Sequence, residues 1–577
     1  MKFLRLIFLL IASFLLLNNP ILAVTDPSAV PNNRFGIHII SPTHDESDPA
    51  AKLVNSDGGD WGYVTILIES KDRDESKWQQ FFDDLRRKHL IPIVRIATGP
   101  DGGKWKRPEE GEEQKWADFL DKLNWPIKNR YVIVYNEPNH ATEWGGAVDA
   151  KDYAQTLDKT ITALKNKSQD FFILNAGLDA SAPQKLPAYQ DESYFLDQMN
   201  QAVPGIFEKL DGWSSHSYPN PNFIGSPNAF GRGSVRTWGW ELDKLRSLGV
   251  KKNLPIFITE TGWQHAEGVV YDSSLPTSDQ VSRNFQIAFR SAWNNDQIVA
   301  VTPFLLNYQE IPFDHFSFKK ITGQKQQIKI LGASYPDYYS IYQTIADLPK
   351  TTGKPRQVNK ALLIKGEVYS SMVEGEQYQI KLIFKNTGQS IWNDGNRVRL
   401  AALGSIEDLK IDDNFISDNT HIEPGKEYTF NVKIKASKQG VYKVVLNLFS
   451  EDNPFDSPPI EFTTEVKPPV ILKIKAKLKW KNNSSGDYFM VIKGADSSTS
   501  KSIRLSKDGE TENITAKYLL PDYPFTFTLD KPFYKSKTLN VTVKSGENTL
   551  DFGQLDPDLL SAIFKPQQLW NLLPFSK

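Results

Sequence analysis

Eight short β-rich runs, each followed by a longer stretch of mixed polarity, recur between Asn33 and about Lys350. They are Arg34–Ile40, Tyr63–Ile68, Ile91–Ile96, Tyr131–Tyr135, Phe171–Asn175, Gly212–Ser217, Pro255–Thr259 and Ala300–Leu306. Between them, segments such as Ser76–Arg87, Trp116–Leu123, Ala150–Lys165, Trp238–Leu248 and Ser278–Trp293 repeat apolar residues every three or four positions. That is the period of a helix with one buried face. Near-continuous apolar strands alternating with amphipathic helices predict a parallel sheet, and eight repeats predict a closed (β/α)8 barrel. An open doubly wound sheet is the rival fold, but no Gly-rich phosphate loop follows the first run.

The chain has 577 residues, room for about three or four domains. Beyond Thr352 the helical period disappears, and runs such as Glu376–Asn386, Glu427–Ile434 and Gly440–Leu448 alternate apolar and polar residues. Turn signals at Asn386-Thr387-Gly388 and Pro424-Gly425 fit an antiparallel β-sandwich. The Asn-Thr-Gly stretch with Ile391-Trp392 resembles the immunoglobulin-like modules appended to secreted bacterial enzymes. Lys467-Pro468-Pro469 reads as a linker, and a second β-rich stretch follows. The expected architecture is therefore a (β/α)8 TIM barrel over 30–352 followed by two small all-β domains. The first is an immunoglobulin-like sandwich over 356–467, and the second covers 470–577 with a short C-terminal tail.

At the N-terminus, Lys2 and Arg5 precede an apolar run from Leu6 to Leu17, and Ala23 follows at a plausible cleavage point. Residues 1–23 are thus expected to be a secretory signal, with an uncleaved anchor as the alternative. The expected location is extracellular, in solution or at the cell surface, with no membrane span once the signal is removed. With 68 basic and 69 acidic residues no global field attracts nucleic acid. The absence of cysteine excludes disulfides and thiol chemistry. No cofactor or metal is expected. The 8 His show no pair at metal-binding helical spacing, and neither Asp412-Asp413 nor Asp556-Pro557-Asp558 has the form of a calcium loop. Aromatic residues are abundant at 12%, as in proteins that stack on flat hydroxylated ligands.

Chemistry in such a barrel stands at the C-terminal ends of the strands. The fourth run ends Tyr135-Asn136-Glu137-Pro138-Asn139, the sixth His216-Ser217-Tyr218-Pro219, and the seventh Thr259-Glu260-Thr261-Gly262-Trp263. Glu137 and Glu260 are 123 positions apart, three strand–helix units of about 41 residues. Strands four and seven face each other across a barrel, so the two carboxylates can converge on one bound group. Paired carboxylates are what glycosidic hydrolysis needs: one protonates the leaving oxygen and the other attacks or stabilises the oxocarbenium-like centre.

These three segments resemble the signatures of clan A glycoside hydrolases, the retaining (β/α)8 enzymes. The resemblance covers about Asn33 to Lys350, some 55% of the chain. The Asn-Glu-Pro-Asn form is similar to families 39 and 5, while Glu-Thr-Gly-Trp is similar to family 17. What the resemblance implies is Glu137 as acid/base, Glu260 as nucleophile, Asn136 on the sugar 2-OH and Tyr218 hydrogen-bonded to the nucleophile. Arg95 is placed to orient Glu260 or to form a structural ion pair, and His216 to bridge the site or to lie satisfied in the core. Trp263 is expected as a sugar platform. His38, Trp144, Trp238 and Trp240 read as packing residues. Clan members carry a Trp at the end of strand eight, where this chain has Leu306-Asn307-Tyr308.

The expected activity is that of a secreted, monomeric, retaining glycosidase acting on a β-linked polysaccharide or oligosaccharide. The alternative is a non-catalytic carbohydrate-binding or surface protein on a degenerate barrel.

Overall fold

The computed structural model describes residues 24–322, 337–404, 408–495 and 497–558. The signal expected at 1–23 and most of the expected C-terminal tail lie outside the described residues. The chain divides into two compact units, Met1–Val358 and Asn359–Lys577.

The first unit contains eight parallel strands: β1 Gly36–Ile39, β2 Gly62–Glu69, β3 Leu90–Ala97, β4 Arg130–Val134, β5 Phe171–Leu174, β6 Trp213–His216, β7 Ile256–Glu260 and β8 Ile298–Val301. β1 to β5 form one run of neighbours and β6 to β8 another. Parallel bridges Phe35–Val301 and Asp179–His216 join the two runs and close the barrel. Helices α1 His44–Val54, α2 Glu75–Arg87, α3 Glu112–Lys122, α4 Ala150–Lys167, α5 Glu192–Ala202, α6 Thr237–Ser247, α7 Ser278–Ile287 and α8 Ser340–Ala346 follow the strands in turn. All residues of β1, β3, β5, β6, β7 and β8 are buried, as strands covered on both faces must be.

Several helices start where the sequence supplies a side-chain acceptor for the free N–H groups of the first turn. Asp74 accepts from Lys77 N ahead of α2, Asp149 from Asp152 N ahead of α4, and Thr277 forms a capping box with Gln280 ahead of α7. Each such cap stabilises its helix by about 1 kcal/mol.

Inside the barrel, Tyr63, Tyr131, Phe172 and Phe257 interlock edge-to-face or tilted at ring separations from 4.9 to 6.4 Å. These rings stand near the N-terminal ends of β2, β4, β5 and β7 and fill that half of the interior. The opposite end is left for polar groups. The eighth strand is shorter than its apolar run, because Pro303 has no N–H to continue the ladder. Past it the chain stays bonded to β1, His38 N donating to Pro303 O and Leu306 N to His38 O, and it brings Phe304 to the cavity wall.

The second unit is all-β among its described residues. One antiparallel sheet orders strands Ala361–Glu367, Gln377–Asn386, Glu427–Ala436 and Leu409–Ile411, and it shares a core with a second sheet built around Gly440–Ser450 and Ile460–Lys467. Strands from Val470–Leu478 to Gly546–Leu555 enclose a separate hydrophobic cluster. The stretches expected as two domains thus fall within one compact unit that holds two clusters. Among the described residues no helix is long and apolar enough to cross a membrane.

Candidate active site

A cavity of about 460 Å³ opens at the C-terminal end of the barrel strands and is lined by Arg95, Asn136, Glu137, Glu143, Tyr218 and Glu260 among others. Two backbone features aim its carboxylates. At the end of β4, Tyr135 and Glu137 both take left-handed conformations, with φ of 68° and 31°. Residues other than glycine hold such angles only where the surroundings compensate a cost of about 1–3 kcal/mol each. Here the fold turns the chain sharply, and Glu137 N donates to Gly177 O at 3.1 Å. Between β6 and β7 the register slips at Ser215/His216, so that His216 pairs with Glu260. A slip of this kind re-aims side chains at the end of a strand.

One ligand atom each of Glu137, His216 and Glu260 lie within 4.8 Å of one another. His216 Nδ1 is 2.8 Å from Glu137 Oε1 and 3.8 Å from Glu260 Oε2. Arg95 Nη1 donates to Glu260 Oε1 and, at 2.8 Å, to Asn136 Oδ1. Tyr218 OH donates to Glu260 Oε2 at 3.1 Å. His38 Nε2 lies 3.8 Å from Glu260 Oε1 at the barrel floor.

The charges follow from this arrangement. Burial pushes the Glu260 carboxyl up, but His216 and Arg95 outweigh it and hold the group well below the usual carboxylate range. Burial, then Arg95, pulls His38 down to about 3, so its imidazole is neutral and adds no positive charge beside Glu260. Burial also opposes charge on His216, yet Glu260 and Glu137 raise it above the ordinary histidine value. Burial and the charge of Glu260 keep the Tyr218 hydroxyl protonated, so it stays a donor. The trio of Glu137, His216 and Glu260 is close enough to hold a divalent cation, but the Arg95 guanidinium already occupies Glu260 and would repel one.

Arg95, Asn136, Glu137, His216, Tyr218 and Glu260 are therefore brought together. Trp263 is not. It is 1% exposed, packs on Phe285 and Trp293, and donates its indole N–H to Gly225 O at 2.7 Å. The platform expected from it is corrected: three residues past β7 the chain has already turned into the barrel wall. The aromatic lining comes instead from Trp105, Tyr135, Phe223, Phe304, Phe313 and Phe316. At the end of β8, Phe304 stands edge-on to His38 at 5.2 Å, ahead of the Leu306-Asn307-Tyr308 stretch that stands where clan members have a Trp.

No protein-family profile matches this chain, and no curated protein matches it in sequence. Solved structures similar to it include a family 39 glycoside hydrolase from the gut symbiont Bacteroides cellulosilyticus WH2, at 13% identity and TM-score 0.37, covering 72% of this chain and 83% of the other. A glucosidase from Croceicoccus marinus is similar at 11% identity and TM-score 0.39, covering 84% and 97%. A family 5 subfamily 18 protein from Bifidobacterium longum subsp. infantis is similar at 12% identity and TM-score 0.37, covering 59% and 83%. Likenesses this distant carry no argument, and the barrel and its site rest on the geometry above.

Two further acids line the cavity that the sequence reading did not single out. Asp179 lies five residues past the end of β5, against three for Glu137 past β4, beyond the strand-end positions that the sequence marks. Glu143 lies seven positions beyond Asn136 in a short 3-10 turn, and nothing in its local sequence marks it.

Gly177, also past β5, is fixed by sterics: a Cβ there would stand 2.1 Å from the His216 ring. Gly177→Ala is expected to push the imidazole off Glu137 while the barrel still folds. Histidine NMR with circular dichroism on the variant checks this, and an unchanged His216 resonance would show that the ring has room to move.

Proposed function

We propose that this chain is a retaining glycoside hydrolase that cleaves O-glycosidic bonds of a β-linked polysaccharide or oligosaccharide by double displacement. The observation that carries the reading is the approach of Glu137 and Glu260, whose nearest ligand oxygens lie within 4.8 Å. Retaining enzymes hold their two carboxyl groups about 5–5.5 Å apart, whereas inverting ones leave about 6.5–9.5 Å for a water.

The roles divide by environment. Glu260, kept ionised by Arg95 and His216, attacks the anomeric carbon while Glu137 gives its proton to the departing glycosidic oxygen. This leaves a glycosyl ester on Glu260 and an ionised Glu137. Water then attacks the same carbon, Glu137 takes its proton, and Glu260 leaves as carboxylate. Two inversions give net retention. Tyr218 and Arg95 each donate to a different oxygen of Glu260, which fixes the plane of its attack. Export through the leader at 1–23 and action as a monomer belong to the same proposal.

Proton NMR of the first-formed product, on a panel of aryl β-glycosides and β-glucans, tests it. The β-anomer is expected to appear before mutarotation. Initial release of the α-anomer would overturn double displacement. Glycan binding without turnover of any substrate would replace the enzyme reading with that of a binding protein.

A further inference from the structure

Four carboxylates line the cavity: Glu137, Glu143, Asp179 and Glu260. Three of them have a basic partner. Glu260 holds the Arg95 guanidinium, Glu137 lies 2.8 Å from His216 Nδ1, and Asp179 lies 2.8 Å from His140 Nε2. In both histidines burial opposes the charge, but the neighbouring carboxylates raise them above the ordinary value. Glu143 differs. Among the described residues it forms no ion pair, and the hydrogen bond it receives is from Asn136 Nδ2 at 3.2 Å. The charged groups that act on it are Glu137 and His140 from its own loop, Arg95 from β3 and Glu260 from β7, and His140 is already bound to Asp179. Arg95 is already committed to Glu260 and Asn136.

The cavity thus carries one carboxylate with no ion-pair partner among the described residues, on which Arg95 and His140 act only from beyond contact. We propose that Glu143 is a specificity-determining residue that reads a protonated amino group of the bound sugar, so that the substrate class is an oligosaccharide or polysaccharide containing amino sugars. Where this concerns cleavage it rests on the hydrolase reading above; where it concerns binding it does not. A hydroxyl would give Glu143 a hydrogen bond and leave its charge uncompensated, and a uronate or sulfate would add a fifth anion. An ammonium would do for Glu143 what Arg95 does for Glu260 and His140 for Asp179. The aromatic walls at Trp105 and Tyr135 suit a cation, because ring faces are electron-rich. Burial, then the charge of Glu137, pushes the Glu143 carboxyl up to about 7, so the free cavity favours its neutral form and a bound ammonium would draw it to the carboxylate.

The test is calorimetric titration of the full chain carrying Glu137→Gln, which removes the proton donor and leaves Arg95 on Glu260, with glucosamine oligosaccharides and with N-acetylated, neutral and uronic counterparts of equal length. The glucosamine series is expected to bind about tenfold tighter than the neutral one and to weaken with added salt. Adding Glu143→Gln should bring that ratio close to one, whereas Glu143→Asp, which keeps the charge, should retain a preference. Equal or tighter binding of the neutral or N-acetylated series overturns the proposal, as does a ratio indifferent to Glu143→Gln, or no binding by any series. Should Glu143→Gln fail to fold by circular dichroism, the ligand series on the parent and the Asp variant decide. Wild-type turnover across the same sugars is read separately: its absence on every sugar sinks the hydrolase reading and leaves the binding ratio to judge Glu143.

Discussion

Under the proposed double displacement, Glu260→Ala is expected to lower kcat/KM by at least about 10,000-fold, because it removes the group assigned to form the covalent bond. Added azide should restore turnover of aryl β-glycosides with good leaving groups. The small anion fits the space left by the carboxylate and attacks from the same side, so the product is the α-glycosyl azide. Glu137→Ala should behave differently. Here Glu260 still forms the ester, azide replaces water in the second step, and the β-glycosyl azide accumulates. The pair of products separates the two roles, which rates alone cannot do. The same anomer from both variants would dismiss the assignment of Glu137 and Glu260, whatever the size of the rate losses.

Arg95→Leu is the second large effect, and it acts on stability as well as chemistry. Arg95 and Glu260 have side-chain exposures of only 11% and 10%, so removing the cation strands a buried carboxylate. Losing one partner of a buried pair costs about 3–5 kcal/mol, which denaturant unfolding at neutral pH reads directly. The pH dependence follows from the sign of the shift. The folded Glu260 carboxyl lies below its unfolded value, so it contributes stability above the ordinary carboxylate range, and that contribution is lost as pH falls through the folded value. Without Arg95 the folded value rises. The acid loss of stability therefore begins at higher pH, and the acidic limb of kcat/KM moves the same way, because the nucleophile must be ionised. A variant with wild-type stability and an unmoved acidic limb would show that His216 and Tyr218 suffice to hold the charge.

Much of the site was legible in the chain because barrel strands deliver their last residues to one place. Glu137 and Glu260 end apolar runs three repeats apart, and that spacing was enough to set them facing each other. Arg95 shows the reach and the limit of such reasoning: its position at the end of β3 pointed to Glu260, but an orienting role and a structural pair looked equivalent. In the structure it does both, donating to Glu260 and to Asn136. Trp263 fails for a reason local sequence does not carry. Whether a ring three residues past a strand faces the cavity or the wall depends on the turn between, and here Phe285 and Trp293 claim it.

What the sequence determined by itself was the period: eight alternations of buried strand and amphipathic helix, which in water have few ways to bury their apolar faces other than by closing into a barrel. What the tertiary structure decided was aim and neutralisation. The left-handed turn at Tyr135 and Glu137, the register slip that sets His216 beside Glu260, and the commitment of Arg95 to Glu260 rather than to Glu143 all depend on groups distant along the chain. Electrostatic balance in a cavity is a sum over everything that faces it, and a linear pattern holds no record of that sum.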